Sequence, residues 1–256
     1  MTASSPGQLV FLLVAGLLSG AVNAVAGGGS LLVFPALLAV GLPPLAANVT
    51  NSIAQWPGYV GVVAGVRPEL HGQRARVLST SAVAVPGAVV GCVLLLVLPA
   101  AVFDAVVPWL VLVATLVFAL AKRLKRWIPS PEKADTGGER RWGLLAAIFV
   151  AAIYGGYFGG ALGVIMISVL SLLATDKLVR LNAVKAVLSL VIATVTVLIF
   201  SLGAPVQWWA VLLLAPSTLI GGYLGARLAS VLPETVLRWS VVVLGLAVAA
   251  YLFAKR

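Results

Sequence analysis

Charge is scarce in this chain of 256 residues: 9% of positions are Asp, Glu, Lys or Arg, against roughly a quarter in an ordinary soluble domain. That excludes a soluble globule. Cysteine occurs once, at Cys92, so the chain builds no internal disulfide framework and no cysteine-based metal site. Histidine also occurs once, as His71, too few for a His-rich metal centre. Acids number seven, and Glu69, Asp104, Glu132, Asp135, Glu139, Asp176 and Glu234 all fall between apolar runs or at their ends. A cation pump or carboxylate proton relay usually places Asp or Glu inside the bundle, so both are disfavoured. What remains is apolar, 62% of the sequence, with 26 glycines. The net charge of +10 would suggest nucleic acid in a polar chain. In this composition it points to a lipid bilayer instead, with no nucleic-acid partner and no cofactor expected.

Uninterrupted apolar runs cover 8–26, 27–41, 48–66, 77–97 and 104–121, then 143–159, 160–175, 182–202, 206–226 and 239–254. The first run ends on Ala24-Val25-Ala26, which resembles a signal-peptide cleavage site. No Lys or Arg precedes it and apolar sequence resumes at once, so it is read as part of the mature chain. Residues 122–141 combine Pro129-Ser130-Pro131, Gly137-Gly138 and a dense run of charge, the marks of a solvated linker. The chain therefore divides into a membrane repeat at 1–121, a linker at 122–141 and a second repeat at 142–256.

An offset of 134 positions places Gly29 on Gly163, Asn48 on Asn182, Leu98-Pro99 on Leu232-Pro233 and Val102 on Val236. A local shift of four residues also brings Pro86 and Gly91 onto Pro216 and Gly221. The order of five segments repeats too, which implies duplication. If the first two segments of each half enter and return to the same face, as a re-entrant hairpin or as two short spans, fifteen of the seventeen basic residues lie on one side. Only Lys255 and Arg256 lie on the other. Single crossings there would give a poorer division of twelve to five. The positive-inside rule thus favours inverted repeats, with the N-terminus outside and the linker in the cytoplasm. The expected fold is an all-α integral membrane protein of two inverted repeats, each a helical hairpin plus three transmembrane helices, a recurring plan of secondary transporters.

The hairpins turn at Ala26-Gly27-Gly28-Gly29-Ser30 and across residues 155–163, which include Tyr157, Gly159, Gly160 and Gly163. Glycines at a helix break leave amides unobstructed, and the following half-helix presents a partial positive end suited to an anion. Close packing is the competing reading of these tips. It is the preferred one for Gly16, Gly20, Gly61, Gly65, Gly87, Gly91, Gly221 and Gly225, which pair four residues apart. Segment 3 opens with a polar stripe through Asn48, Asn51, Ser52 and Gln55 beside Thr50, and segment 8 with Asn182, Lys185 and Ser189. Asn48 and Asn182 are read as helix caps. A lysine within an apolar segment is a functional candidate, with snorkelling to the cytoplasmic surface as the alternative. Trp109 and Trp208-Trp209 fit an interfacial belt. Ser30 is not an enzymatic nucleophile by this reading, because the only histidine lies in a charged loop with Arg67 and Arg74.

Ala26-Gly27-Gly28-Gly29-Ser30, Pro35, Gly41 and Ala47-Asn48-Val49-Thr50-Asn51 resemble the first-half signature of the TauE/SafE permeases. Tyr154-Gly155-Gly156-Tyr157-Phe158-Gly159 and Leu181-Asn182-Ala183-Val184-Lys185 resemble the second. The resemblance implies a permease of a bacterial inner membrane for small sulfur-containing anions such as sulfite, sulfoacetate or related sulfonates. The candidate substrate-binding set is Gly27, Gly28, Gly29, Ser30, Thr50, Asn51, Gln55, Tyr157, Gly159, Gly160 and Lys185. A non-transporting scaffold and an anion channel are the other classes considered. Substrate, direction, coupling ion and oligomeric state are left open by the sequence.

Overall fold

The computed structural model describes residues 5–127, 141–228 and 234–254; side chains at 121–127, 234–238 and 240 are not described. The helices are α1 (Pro6–Val25), α2 (Ser30–Ala39), α3 (Pro44–Ala54), α4 (Trp56–Gly65), α5 (Arg74–Val97), α6 (Ala100–Trp127), α7 (Arg141–Tyr157), α8 (Leu162–Leu173), α9 (Leu178–Gly203), α10 (Trp208–Arg227) and α11 (Glu234–Ala254). A short 3-10 turn, Arg67–Leu70, precedes α5. No strand occurs among the described residues.

Local chemistry accounts for the helix limits. Ser5 and Gln8 form a reciprocal cap around Pro6 at the start of α1. The helix ends where Gly27 adopts φ +78, a left-handed backbone that glycine reaches without strain. Proline sets the starts of α3 and α4, and Gln55 forms the joint between them. Segment 3 of the sequence is therefore two short helices, whereas its counterpart α9 is continuous. α6 runs to Trp127, six residues into the expected linker. Residues 128–140, the remainder of that linker apart from Arg141, lie outside the described residues.

Among the described residues, five helices are long and apolar enough to cross a membrane: α1, α5, residues 100–120 of α6, α9 and α10. The return arms of the hairpins, α2 and α8, have 10 and 12 residues. At 1.5 Å per residue they rise only about 15 and 18 Å, roughly half of a 30 Å hydrocarbon core. Outward-facing positions are apolar, with Leu202 90% exposed and Leu212 74% exposed, while Asn23, Asn48, Asn51, Gln55 and Lys185 are buried. This inversion of the usual burial pattern fits a lipid-facing exterior.

Helix packing follows the repeat but mixes its halves. α1 packs on α10, and its counterpart α7 packs on α5, the counterpart of α10. α4 joins the first group and α9 the second, while α6 and α11 pack on one another. Small residues make these approaches possible. A Cβ on Gly91 would press into Ile153 O and the Tyr157 amide, and one on Gly221 into the backbone of Leu17. Gly20 and Gly225 meet α10 and α1 backbone in the same way, as the packing reading of these glycines requires. On α6 the buried positions Phe103, Val107, Val111, Ala114 and Phe118 form one stripe at helical spacing. Phe118 covers Gly28 at the first hairpin tip.

Candidate functional site

The two hairpin tips cross at their glycines. The Gly163 amide donates to Gly27 O at 3.0 Å. A Cβ on either residue would stand 2.5 Å from the other's Cα, so the tips touch backbone to backbone. The sequence placed an anion between these tips, but at the crossing itself no space remains. Gly28 is sealed by Phe118, and Gly160 packs against Phe158 while its carbonyl accepts from the Tyr154 hydroxyl. Several tip amides have internal partners: Gly27 donates to Val22 O, Gly29 to Asn23 Oδ1 at 2.8 Å, and Gly159 to Tyr154 O. Ala161 begins α8 at φ +55, a left-handed conformation that is rare outside glycine.

Beside the crossing lies a small cavity of about 20 Å³. Ser30 reaches it from α2, Ser52, Gln55 and Tyr59 from the α3–α4 joint, Gly159 from the second tip, and Ser189 and Thr196 from α9. Gly155, Phe158, Leu162, Ile192 and Ala193 supply its apolar wall. The polar lining carries no formal charge. Gln55 is its anchor: Oε1 accepts from Asn23 Nδ2 at 2.9 Å, while Nε2 donates to Ser19 Oγ and, at 3.4 Å, to Asn51 Oδ1. Asn23 therefore clamps the first hairpin from within, holding Gly29 through its Oδ1 and Gln55 through its Nδ2. The Tyr59 hydroxyl meets the Ser30 and Asn23 side chains.

Lys185 lies one helical turn before Ser189 on α9 and is 3% exposed. It does not snorkel out of the protein. Its Nζ reaches Asn23 O at 3.4 Å, at the C-terminal end of α1 where helix carbonyls lack intrahelical donors. The cation thus sits at the negative end of the α1 dipole and contacts the cavity network through Asn23 rather than lining the cavity.

Of the residues expected from sequence, Ser30, Gln55 and Gly159 line the cavity. Asn51 stands behind them, accepting from Gln55, while Gly29 and Lys185 bond Asn23, which in turn holds Gln55. Gly27, Gly28 and Gly160 form the packed crossing. Thr50 turns elsewhere, accepting from the Gln207 amide at 3.0 Å before α10. Tyr157 offers its carbonyl to Asn48 Nδ2 at 3.0 Å and packs its ring near Phe103. This bond shows Asn48 tying α3 to the second tip, a different task from capping its own helix. Asn23, Ser19, Tyr59 and Thr196 escaped the sequence reading, and Ser52 and Ser189 were seen only as members of the stripes. The missed signal was Ser19 and Asn23, polar residues four apart in an apolar span just before a glycine break.

An all-helical membrane protein with broken helices meeting at a buried polar cavity belongs to the transporter class. The profile of the sulfite exporter TauE/SafE family matches residues 12–252, and the chain belongs to that family. It is 25% identical over 253 residues to a probable membrane transporter protein of Haemophilus influenzae, spanning 94% of this chain and 93% of the relative. A probable membrane transporter protein of Sinorhizobium is 25% identical over 250 residues, covering 96% of this chain and 92% of its own. The probable membrane transporter protein YfcA of Escherichia coli K12 is 28% identical over 235 residues, 88% of this chain and 81% of the relative. No solved structure matches the chain. The protein is a membrane transporter of the TauE/SafE type.

Proposed function

We propose that the protein exports small sulfur-containing anions, such as sulfite or organosulfonates, by alternating access around the cavity beside the hairpin crossing. The observation that carries this reading is the convergence of Ser30, Gln55, Tyr59, Ser189 and Thr196 on one buried space, with the Lys185 ammonium one residue behind it. Hydroxyl and amide donors can replace the water around an oxyanion. The nearby cation supplies attraction without a direct ion pair that would hold the substrate too tightly to release.

At about 20 Å³ the cavity holds no more than one water. A sulfite ion with four heavy atoms needs it to open, so in this mechanism the described arrangement is closed to the substrate. The bodies that move are taken to be the mixed packing groups, α1–α4–α10 and α7–α9–α5, because glycine contacts between backbones hold α1 and α4 to α10 and α7 to α5, with α9 packed on α5. The charge tally supports inverted repeats with the N-terminus outside and the linker cytoplasmic, and the family resemblance supports a bacterial inner membrane. The half-length α2 and α8 suit re-entrant hairpins better than two full spans.

Proteoliposomes loaded with sulfite, sulfoacetate or a carboxylate of similar size test the assignment. Saturable efflux of the sulfur anions, lost in Gln55→Ala, is the expected result. Unsaturable flux would indicate a channel, and absence of flux for every anion would favour a scaffold.

A further inference from the structure

A second polar cavity, of about 420 Å³, lies far from the hairpin network, between the start of α5, the described start of α7 and the α8–α9 turn. Arg76, Arg141 and Arg180 line it, and Asp176 is the one acid among the described residues of its lining. Arg76 Nη1 donates to Asp176 Oδ2 at 2.8 Å, and Arg180 Nε donates to Asp176 Oδ1 at 2.9 Å. Gln73, 3% exposed, braces the cluster: its amide donates to Glu69 O and Arg180 O, and its Oε1 accepts from Arg76. Three guanidinium groups around one carboxylate leave two positive charges in excess.

The helices add to that excess. α5 and α9 both begin at this cavity, neither has an acid in its first turn, and Arg76 and Arg180 stand there instead. Cations at the positive ends of helix dipoles are unfavourable unless an anion balances them. Nor does the fold demand the cluster. The repeat places Leu42, Ala46 and Gly7 opposite Asp176, Arg180 and Arg141, and Val206 opposite Arg76, all uncharged. The arginines are an addition to one end of the molecule.

We propose that this cleft is a phosphate-binding site that takes the headgroup of an anionic membrane lipid. Arg180 engages Asp176 through Nε, which leaves its outer Nη edge for a second oxyanion, the planar geometry that suits phosphate. Arg141 is exposed at the rim, beside Trp142, which is 82% exposed and suits the headgroup level of a bilayer. Leu144 and Leu145 form an apolar wall for the glycerol end of the lipid. A basic pocket between transmembrane helices is a recurrent way to hold anionic headgroups. The proposal is independent of the transported substrate.

The test uses the full chain in neutral detergent, with bound lipid counted by native mass spectrometry. Phosphatidylglycerol, diacylglycerol of the same chains and inorganic phosphate are the three probes. Phosphatidylglycerol should bind in preference to diacylglycerol, and Arg141→Gln should weaken it by about fivefold, the effect of one basic residue near an anionic headgroup. Arg227→Gln is the control: Arg227 stacks 4.7 Å over the Tyr223 ring and does not line the cleft, and its loss should leave lipid binding unchanged. Equal loss in both variants would reduce the site to general surface charge and overturn the proposal. Failure to distinguish phosphatidylglycerol from diacylglycerol would also overturn it. Inorganic phosphate binding that depends on Arg141, without lipid binding, would overturn the lipid as its source.

Discussion

Gly163→Ala probes the crossing of the hairpin tips directly. The new Cβ would stand 2.5 Å from Gly27 Cα and 2.8 Å from Gly27 O, and both are backbone atoms that no rotamer change can move. Overpacking of this kind costs about 1–3 kcal/mol. Separating the tips also lengthens the 3.0 Å hydrogen bond from the Gly163 amide to Gly27 O, a further loss of about 1 kcal/mol. Alanine's better helix propensity at the start of α8 returns up to about 1 kcal/mol. The net destabilisation is about 1–4 kcal/mol, which lowers the melting midpoint by roughly 2–16 °C.

Gly27→Ala meets the same contact from the other side and adds the strain of a Cβ at φ +78, about 1–2 kcal/mol. It should be the worse of the two. The pair share one contact, so the double variant should lose less than the sum by about 0.5–3 kcal/mol. Gly203→Ala serves as control, since its Cβ would meet nothing closer than Leu96 Cδ1 at 4.0 Å. Melting of detergent-solubilised protein, followed by loss of the monodisperse species, reads all four. A Gly163→Ala midpoint equal to that of Gly203→Ala, or strictly additive single effects, would refute the crossing.

Lys185→Ala should abolish sulfite efflux from proteoliposomes, and Lys185→Arg should retain part of it because the charge is kept while the geometry changes. Wild-type efflux by Lys185→Ala would reject the lysine as the source of anion attraction. Partial burial pushes the Asp176 carboxyl up, but hydrogen bonds from Arg76, Arg180 and the Lys177 amide, with the Arg180 charge, together outweigh it and hold the group below its ordinary value of 3.8. A depressed carboxyl stabilises the fold above its unfolded value and loses that contribution as pH falls through the folded one. Acid melting curves should therefore lose their steepest part in Asp176→Asn, and an unchanged acid limb would contradict the ion cluster. In a Cys92→Ala background, single cysteines at positions 135 and 204 should label from opposite faces, with 135 cytoplasmic; labelling from one face would rule out inverted repeats.

Periodicity and composition made the helices legible, because a span in lipid must satisfy its backbone internally and so writes itself as a continuous apolar run. The glycine pairs likewise marked where helices touch. Less visible was which helices touch. The sequence lays the halves end to end, whereas α5 packs with α7 and α10 with α1, exchanges that depend on tertiary geometry. The joint at Gln55 was hidden for a related reason: Trp56 and Pro57 read as the continuation of a span, although proline at a first turn suits a new helix equally well.

The site was legible as polar stripes and illegible as roles. Stripe reasoning assigns a residue to a helix face, but it cannot say whether the opposing surface is a cavity, a backbone or another side chain. Gln55 and Thr50 lie five residues apart on neighbouring polar positions, yet one lines the cavity and the other receives the Gln207 amide. Asn23 inverts the case. It went unread within an apolar run, but its side-chain bonds and its carbonyl join the first tip, the α3–α4 joint and Lys185. Burying an amide in a membrane protein is expensive unless all its groups are satisfied. A single Asn just before a glycine break therefore carries more information than a longer stripe at a helix end, where water or a cap could satisfy the same groups. By that argument Asn23→Leu should uncouple Gly29 and Gln55 at once while keeping the carbonyl that Lys185 meets, and it should abolish sulfite efflux as Gln55→Ala does. Efflux in Asn23→Leu equal to that of the parent would show that the cavity stands without its clamp.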